Sequence, residues 1–182
     1  MKPFYLVRYG VLSSTLLLSG CGLFDWFHFR NDALPHVTGS LSVAPASEFA
    51  YAPTEAGRVS PNRIENTAVS SIVMKKNIDV CVHDAVIKAL HRAGLDTADD
   101  TRVLSARIET FSVDDARSPA LWTLVLRYSL VEADTKRVLY SGTKTARHPF
   151  RTFTNNTFAI EDVVQANVAA LLADPDFVRA VH

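Results

Sequence analysis

The sequence predicts an α+β domain, with an antiparallel or mixed sheet of about four strands and two main helices packed on one face. Three observations support this fold class. Two segments have apolar residues at helical spacing, four have them in alternation, and their order is strand, helix, three strands, helix. Elements of these two kinds bury their apolar faces by packing as layers around one core. A chain of 182 residues, 48% apolar and 21% charged, is long enough for one such domain.

The first twenty residues have the features of a bacterial export signal. Lys2 and Arg8 precede an apolar stretch that is too short to cross a bilayer. The stretch ends at residues 18–21 in Leu-Ser-Gly-Cys, which matches the lipobox pattern of a branched apolar residue, two small residues and a cysteine. We therefore expect residues 1–20 to be a signal peptide, cleaved between Gly20 and Cys21, with lipid attached to the Cys21 thiol. An uncleaved anchor or an ordinary secretory signal is the alternative.

The residues after the cysteine indicate where the chain is anchored. Aspartate at this position commonly retains Gram-negative lipoproteins at the inner membrane, and Gly22 stands there instead. The expected location is therefore the inner leaflet of the outer membrane, facing the periplasm. More than one acyl chain holds a protein there firmly, because each buried methylene contributes about 0.8 kcal/mol.

Residues 21–36 are the predicted lipid anchor and tether. They contain an aromatic cluster, namely Phe24, Trp26, Phe27 and Phe29. Amphipathic aromatic segments are favoured at the headgroup level of a membrane. The alternative is that these rings fold back onto the domain.

The domain itself is predicted to span residues 37–182. Alternating apolar residues over 37–43 predict its first strand, and the prolines that follow predict a loop over 44–63. The clearest helix is predicted over 77–93, with Asn77 as its N-cap and Gly94 after its last residue.

Three strands are predicted next, over residues 102–113, 121–132 and 138–145. The middle segment is apolar on both faces, which is typical of a central strand covered in part on each side. Residues 133–136 form a predicted turn, so the second and third of these strands pair antiparallel.

A second helix is predicted after a polar connection over 149–156. Asn156 or Thr157 is its expected cap, and the helix ends near Ala173. Asp174 and Pro175 are typical of an N-cap followed by proline at the first helical position, so they predict a final helical turn.

Charge and cysteine content limit the possible partners. Removal of residues 1–20 leaves 17 basic and 19 acidic residues, a formal charge of −2. A nearly neutral chain has no field that would attract nucleic acid, so no nucleic-acid partner is expected. If Cys21 carries lipid, Cys81 has no disulfide partner in the chain. We expect Cys81 to be buried as a small apolar residue, with a reactive or intermolecular role as the alternative.

The sequence carries no pattern typical of catalysis or metal binding. His83 and His91 are eight residues apart, about 12 Å along a helix, so they cannot share one ion, and both lie on its predicted solvated face. The acidic pairs at 99–100 and 114–115 fall in predicted turns. No nucleophile elbow, phosphate-binding glycine loop or zinc-protease motif occurs. We expect no catalytic residue, no metal site and no cofactor.

Four aromatic residues raise the alternative of a ligand pocket between the sheet and the helices. These are Phe111, Trp122, Tyr128 and Phe158. A lipid or small ligand is the class of molecule that such a pocket binds. Ordinary core packing is the simpler interpretation of the same residues.

Three stretches resemble a set of small proteobacterial outer-membrane lipoproteins. They are VHDAVIKALHRAGL at 82–95, LVLRYSLVEADTKRVLYSGT at 124–143 and EDVVQANVAALLADPDFVRAV at 161–181. The set includes the YajG-like lipoproteins and the auxiliary lipoproteins of ABC transporters that handle envelope lipids. The resemblance implies a non-enzymatic protein, and the lipobox cysteine, Cys21, is the functional residue that carries over. We therefore expect an accessory or interaction module that contacts another envelope protein through a sheet edge or a helix groove.

Overall fold

A computed structural model of the protein describes residues 34–66, 72–116, 118–150 and 155–182. The predictions for Gly20, Cys21 and the aromatic tether lie outside the described residues. The described residues lie within one compact unit. No helix of the described part is long and apolar enough to cross a membrane.

The described residues contain a mixed six-stranded sheet. Its strands are β1 (Ser42–Val43), β2 (Arg63–Asn66), β3 (Ile72–Val73), β4 (Arg102–Asp114), β5 (Ala120–Glu132) and β6 (Val138–Phe150). The strand order is β3-β2-β4-β5-β6, and β4, β5 and β6 form an antiparallel meander. β1 and β2 run parallel to β4 and share its remaining edge, β1 near the start of β4 and β2 near its end.

The sheet is larger than the four predicted strands. β2 and β3 were not predicted, because each is short and pairs through its backbone. Ile64 of β2 is fully buried. The first strand was predicted over residues 37–43, but regular strand pairing covers Ser42–Val43 (β1) alone. β6 is longer than the predicted 138–145. Ala146 and Phe150 are buried and extend the strand's alternation of inward and outward side chains, although the residues between them are mostly polar.

Four helices accompany the sheet in the described part of the chain. They are α1 (Ala52–Glu55), α2 (Ile78–Arg92), α3 (Asn156–Leu172) and α4 (Pro175–Val181). The prediction of a loop over 44–63 was wrong in part. That segment contains a 3-10 turn at Ala46–Glu48, α1 and the start of β2, and it places Phe49 and Tyr51 in the core.

The helix ends differ from the predicted caps at two places. Asn77 precedes α2, but its side chain makes no capping hydrogen bond. Asn155, rather than Asn156 or Thr157, caps α3, and its Oδ1 accepts from the Thr157 backbone N–H at 2.9 Å. Asp174 caps α4 as predicted and accepts from the Asp176 N–H at 2.9 Å.

One hydrophobic core joins the sheet to the helices. Alternate residues of β5 are buried, as predicted, and α3 lies against β5 and β6 while α2 packs against α3. Asn167 of α3 is the buried polar side chain at the centre of this layer. It accepts from the Tyr128 hydroxyl at 3.0 Å and donates to the carbonyls of Leu124 and Lys144 at 3.1 and 2.9 Å. These bonds fix α3 against both strands.

Candidate functional site

The four aromatic residues considered as a ligand pocket do not form one. Phe111 and Tyr128 are fully buried and Trp122 is 4% exposed, all within the filled core. Phe111 and Trp122 pack edge to face, with ring centroids 6.1 Å apart. Phe158 lies elsewhere, 60% exposed near the start of α3. Core packing is therefore the correct interpretation of the three buried rings.

The two histidines of α2 have different environments. His91 is exposed and hydrogen-bonds the Thr97 hydroxyl. The prediction of a solvated face was wrong for His83, whose side chain is 16% exposed. Its ring packs edge to face on Phe49, with centroids 5.2 Å apart. The sequence did not predict this contact, because Phe49 belongs to the segment that was predicted to be a loop. Within the described ranges, no three His, Cys, Asp or Glu side chains are close enough to hold one metal ion.

A groove of about 590 Å³ lies where β3, the first turns of α2 and the start of α3 meet. We call it the α2–α3 groove. Five of its thirteen lining residues are apolar, namely Val73, Met74, Cys81, Ala85 and Ile160. Val73 is 56% exposed there. The volume lies within the range of small-molecule pockets, roughly 300–1,000 Å³.

Two ion pairs stand at the rim of the α2–α3 groove. Lys76 Nζ lies 3.0 Å from Asp84 Oδ2, and Lys88 Nζ lies 2.6 Å from Glu161 Oε2, a contact that joins α2 to α3. The hydrogen bond that Lys76 donates to the Asp84 carboxylate raises the pKa of Lys76 above its usual value. Lys75 is a third basic residue of the lining. The rim therefore carries three basic side chains and two acidic ones.

Cys81 lies in the wall of this groove. The thiol is half-buried rather than fully buried as predicted, and its Sγ lies 4.0 Å from the Lys76 carbonyl oxygen. Burial raises the pKa of the thiol, so it is mainly protonated at neutral pH. It is therefore accessible but not activated.

The second surface feature is the outer edge of β6. β6 is the last strand of the sheet, and within the described residues no strand pairs with its far side. It is 13 residues long, and its residues Thr143, Thr145 and Arg147 are exposed. A strand of this length presents a row of backbone donors and acceptors that another chain can pair with.

A half-buried polar cluster links β6 to the start of α4. Lys144 Nζ lies 2.6 Å from Asp174 Oδ2, which also accepts from the Tyr140 hydroxyl at 2.9 Å. These hydrogen bonds, that of Lys144 first, lower the pKa of Asp174 to about 2. Gly142 allows the arrangement, because a Cβ at this position would collide with the Tyr140 ring and hydroxyl.

Comparisons with known proteins show the fold but no family. No protein-family model matches the chain, and no curated protein matches it. The solved structure of protein XCC0632 from Xanthomonas campestris, DUF330, is similar with a TM-score of 0.52 and 20% identity, and the match covers 78% of this chain and 84% of that one. This chain has the fold of XCC0632.

Other solved structures are similar at lower scores. The PelC dodecamer from Paraburkholderia phytofirmans has a TM-score of 0.42 and 13% identity, with 79% of this chain and 94% of that chain covered. Lipoprotein GNA1162 from Neisseria meningitidis has a TM-score of 0.33 and 15% identity, with 75% and 99% covered. Bacterial lipoproteins are thus among the solved structures to which this chain is similar.

Neither the α2–α3 groove nor the ion pairs at its rim were predicted as such. The sequence signal for the groove was weak, because its wall combines a two-residue strand with one side of each helix. Lys88 and Glu161 are 73 residues apart, so only the packing of α2 on α3 brings them together. The β6 edge follows from the predicted strand order, in which the last strand has one neighbour.

Proposed function

We propose that the chain is an outer-membrane lipoprotein anchored through Cys21 and that its periplasmic domain is a non-catalytic module of an envelope complex. The lipobox at residues 18–21 and Gly22 support the anchor and its location. The absence of nucleophile, phosphate-loop and zinc motifs from the sequence supports a non-catalytic role. The observation that carries the partner-binding part is the outer edge of β6, with which no strand of the described residues pairs.

The β6 edge has the properties of a site for strand addition. In this mode of recognition an extended segment of the partner adds to the sheet, backbone hydrogen bonds provide affinity, and side chains provide specificity. β6 contains Lys144, Arg147 and His148 and no acidic residue. Asp174 neutralises Lys144, whereas Arg147 is exposed. Charge complementarity therefore favours a partner strand that carries acidic residues.

Site-specific photo-crosslinking in intact cells tests this proposal. A photoreactive amino acid replaces Thr145, which is exposed on β6, and a matched chain carries it at Ser60, which is exposed ahead of β2 at the other side of the sheet. We expect Thr145 to crosslink to one envelope protein and Ser60 not to do so.

A charge reversal makes the same experiment specific. Arg147→Glu in the Thr145 chain should lower the crosslink yield at least fivefold, because it places an acidic side chain opposite an acidic strand. Circular dichroism checks that the variant remains folded. Equal yields at Thr145 and Ser60, or a yield that Arg147→Glu leaves unchanged, would overturn the proposed β6 contact.

A further inference from the structure

We propose that the α2–α3 groove binds an amphiphile that combines one acyl chain with an anionic head group. This ligand site is separate from the β6 edge and does not depend on the partner proposed there. The inference starts from the cavity itself, whose volume of about 590 Å³ is sufficient for such a molecule.

The wall of the groove suits an acyl chain. Met74 directly follows β3, Cys81 and Ala85 lie in α2 and Ile160 lies in α3, and all four line the same space. Ala85 and Ile160 are already buried, so the gain comes from Val73, Met74 and Cys81. An acyl chain that covers these three side chains would remove apolar surface from water, at about 25 cal/mol for each Å² buried. Met74 and Cys81 are polarisable side chains that adapt to ligands of irregular shape.

The rim of the groove suits an anionic head group. Lys75, Lys76 and Lys88 outnumber the acidic residues Asp84 and Glu161 at the rim. The Lys76–Asp84 pair is well exposed, with 65% and 51% of the two side chains accessible, and such pairs contribute little stability. Lys76 can therefore turn from Asp84 toward a carboxylate or phosphate at small cost.

The start of α3 adds to the same electrostatic preference. α3 has no acidic residue in its first turn, and Asn155, Asn156 and Thr157 there line the groove. The N-terminal end of a helix carries a partial positive charge that favours anions. This contribution reinforces the lysines and has the same sign.

Cys81 makes binding measurable without a label. In the mature chain from residue 21 to residue 182 with Cys21→Ser, Cys81 is the one remaining thiol, and it lies in the groove wall. We expect dodecanoate, below its micelle concentration, to slow alkylation of Cys81 by iodoacetamide at least tenfold at pH 8. Isothermal titration calorimetry of the same chain gives the affinity independently of thiol reactivity.

Matched probes separate the two parts of the ligand. Dodecyltrimethylammonium has the same chain length with a cationic head, and acetate has the anionic head without a chain. Neither should protect Cys81 at concentrations at which dodecanoate does. Equal protection by the cationic amphiphile, equal protection by acetate, or no calorimetric binding of dodecanoate would overturn the proposal.

Matched lysine variants test the rim. The double variant Lys76→Gln and Lys88→Gln should weaken dodecanoate binding at least tenfold, whereas Lys136→Gln, an exposed lysine in the β5–β6 turn, should leave it unchanged. Circular dichroism and thermal unfolding confirm that each variant is folded. An affinity that the double variant retains in full would contradict the role of these lysines. Arg147→Glu should not affect dodecanoate binding, which keeps this test distinct from that of the β6 edge.

Discussion

Replacement of Asn167 by alanine should be among the most destabilising single changes in the domain. Asn167 is fully buried and makes three hydrogen bonds that join α3 to β5 and β6. The change leaves the buried Tyr128 hydroxyl without its acceptor, which costs about 1–3 kcal/mol, and two carbonyls each lose a donor, at about 1 kcal/mol apiece. The sum is about 3–5 kcal/mol, a large part of the 5–15 kcal/mol that typically stabilises a domain.

Urea unfolding followed by circular dichroism measures this loss in the mature chain with Cys21→Ser. A double-mutant cycle with Tyr128→Phe isolates the hydroxyl–amide contact, and we expect a coupling energy of about 1–2 kcal/mol. The double variant should lose less stability than the sum of the two single changes, because Tyr128→Phe removes the hydroxyl that Asn167→Ala would leave without an acceptor. A loss below about 1 kcal/mol for Asn167→Ala, or a coupling near zero, would refute the assignment of this side chain as the link between helix and sheet.

Three further changes test other parts of the fold. The pKa of Asp174 in the folded chain, about 2, lies below the ordinary carboxyl value of about 4. The stability that the ionised Asp174 contributes is therefore complete above pH 4 and is lost as the pH falls toward 2. The difference in unfolding free energy between wild type and Asp174→Asn, measured in urea titrations, should shrink over that range. Gly142→Ala should cost about 1–3 kcal/mol by displacing Tyr140, whereas Ser141→Ala next to it should change stability by less than about 0.5 kcal/mol in the same assay. Ile64→Ala should raise the population of unfolded chain in thermal melts, with a loss of about 2–5 kcal/mol, and a loss near zero would show that β2 is not part of the core.

The long elements of the domain were predictable because each contains several periods of its apolar pattern. β4, β5, α2 and α3 lie within a few residues of their predicted bounds. A strand of 13 residues or a helix of 15 offers enough repeats for alternation to be distinguished from helical spacing.

The short elements were not predictable for the converse reason. β3 has two residues and α1 has four, so neither is long enough to repeat the period of its pattern. Their positions depend on tertiary pairing, such as that of Ile64 with Ile72, which sequence spacing does not encode. The misassignment of His83 has the same origin, because the Phe49 ring that covers it belongs to this irregular part of the chain.

Candidate sites were harder to predict than elements. The free edge of β6 follows from strand order alone, whereas the α2–α3 groove depends on how two helices and a short strand pack. Phe158 shows the limit of sequence patterns for predicting sites. It was considered as part of a pocket wall, but it is exposed at the start of α3. Periodicity places side chains on faces, but it does not show which faces meet.

The most direct test of the proposed role is the chemical state and location of Cys21 in cells. Intact mass spectrometry of the protein purified from separated membranes compares the wild type with Cys21→Ala. The account predicts a wild-type chain that begins at Cys21, carries acyl chains and is recovered in the outer-membrane fraction, whereas the alanine variant is neither acylated nor cleaved there. A wild-type chain that keeps residues 1–20, or that is cleaved without acylation and released into the periplasm, would contradict the account.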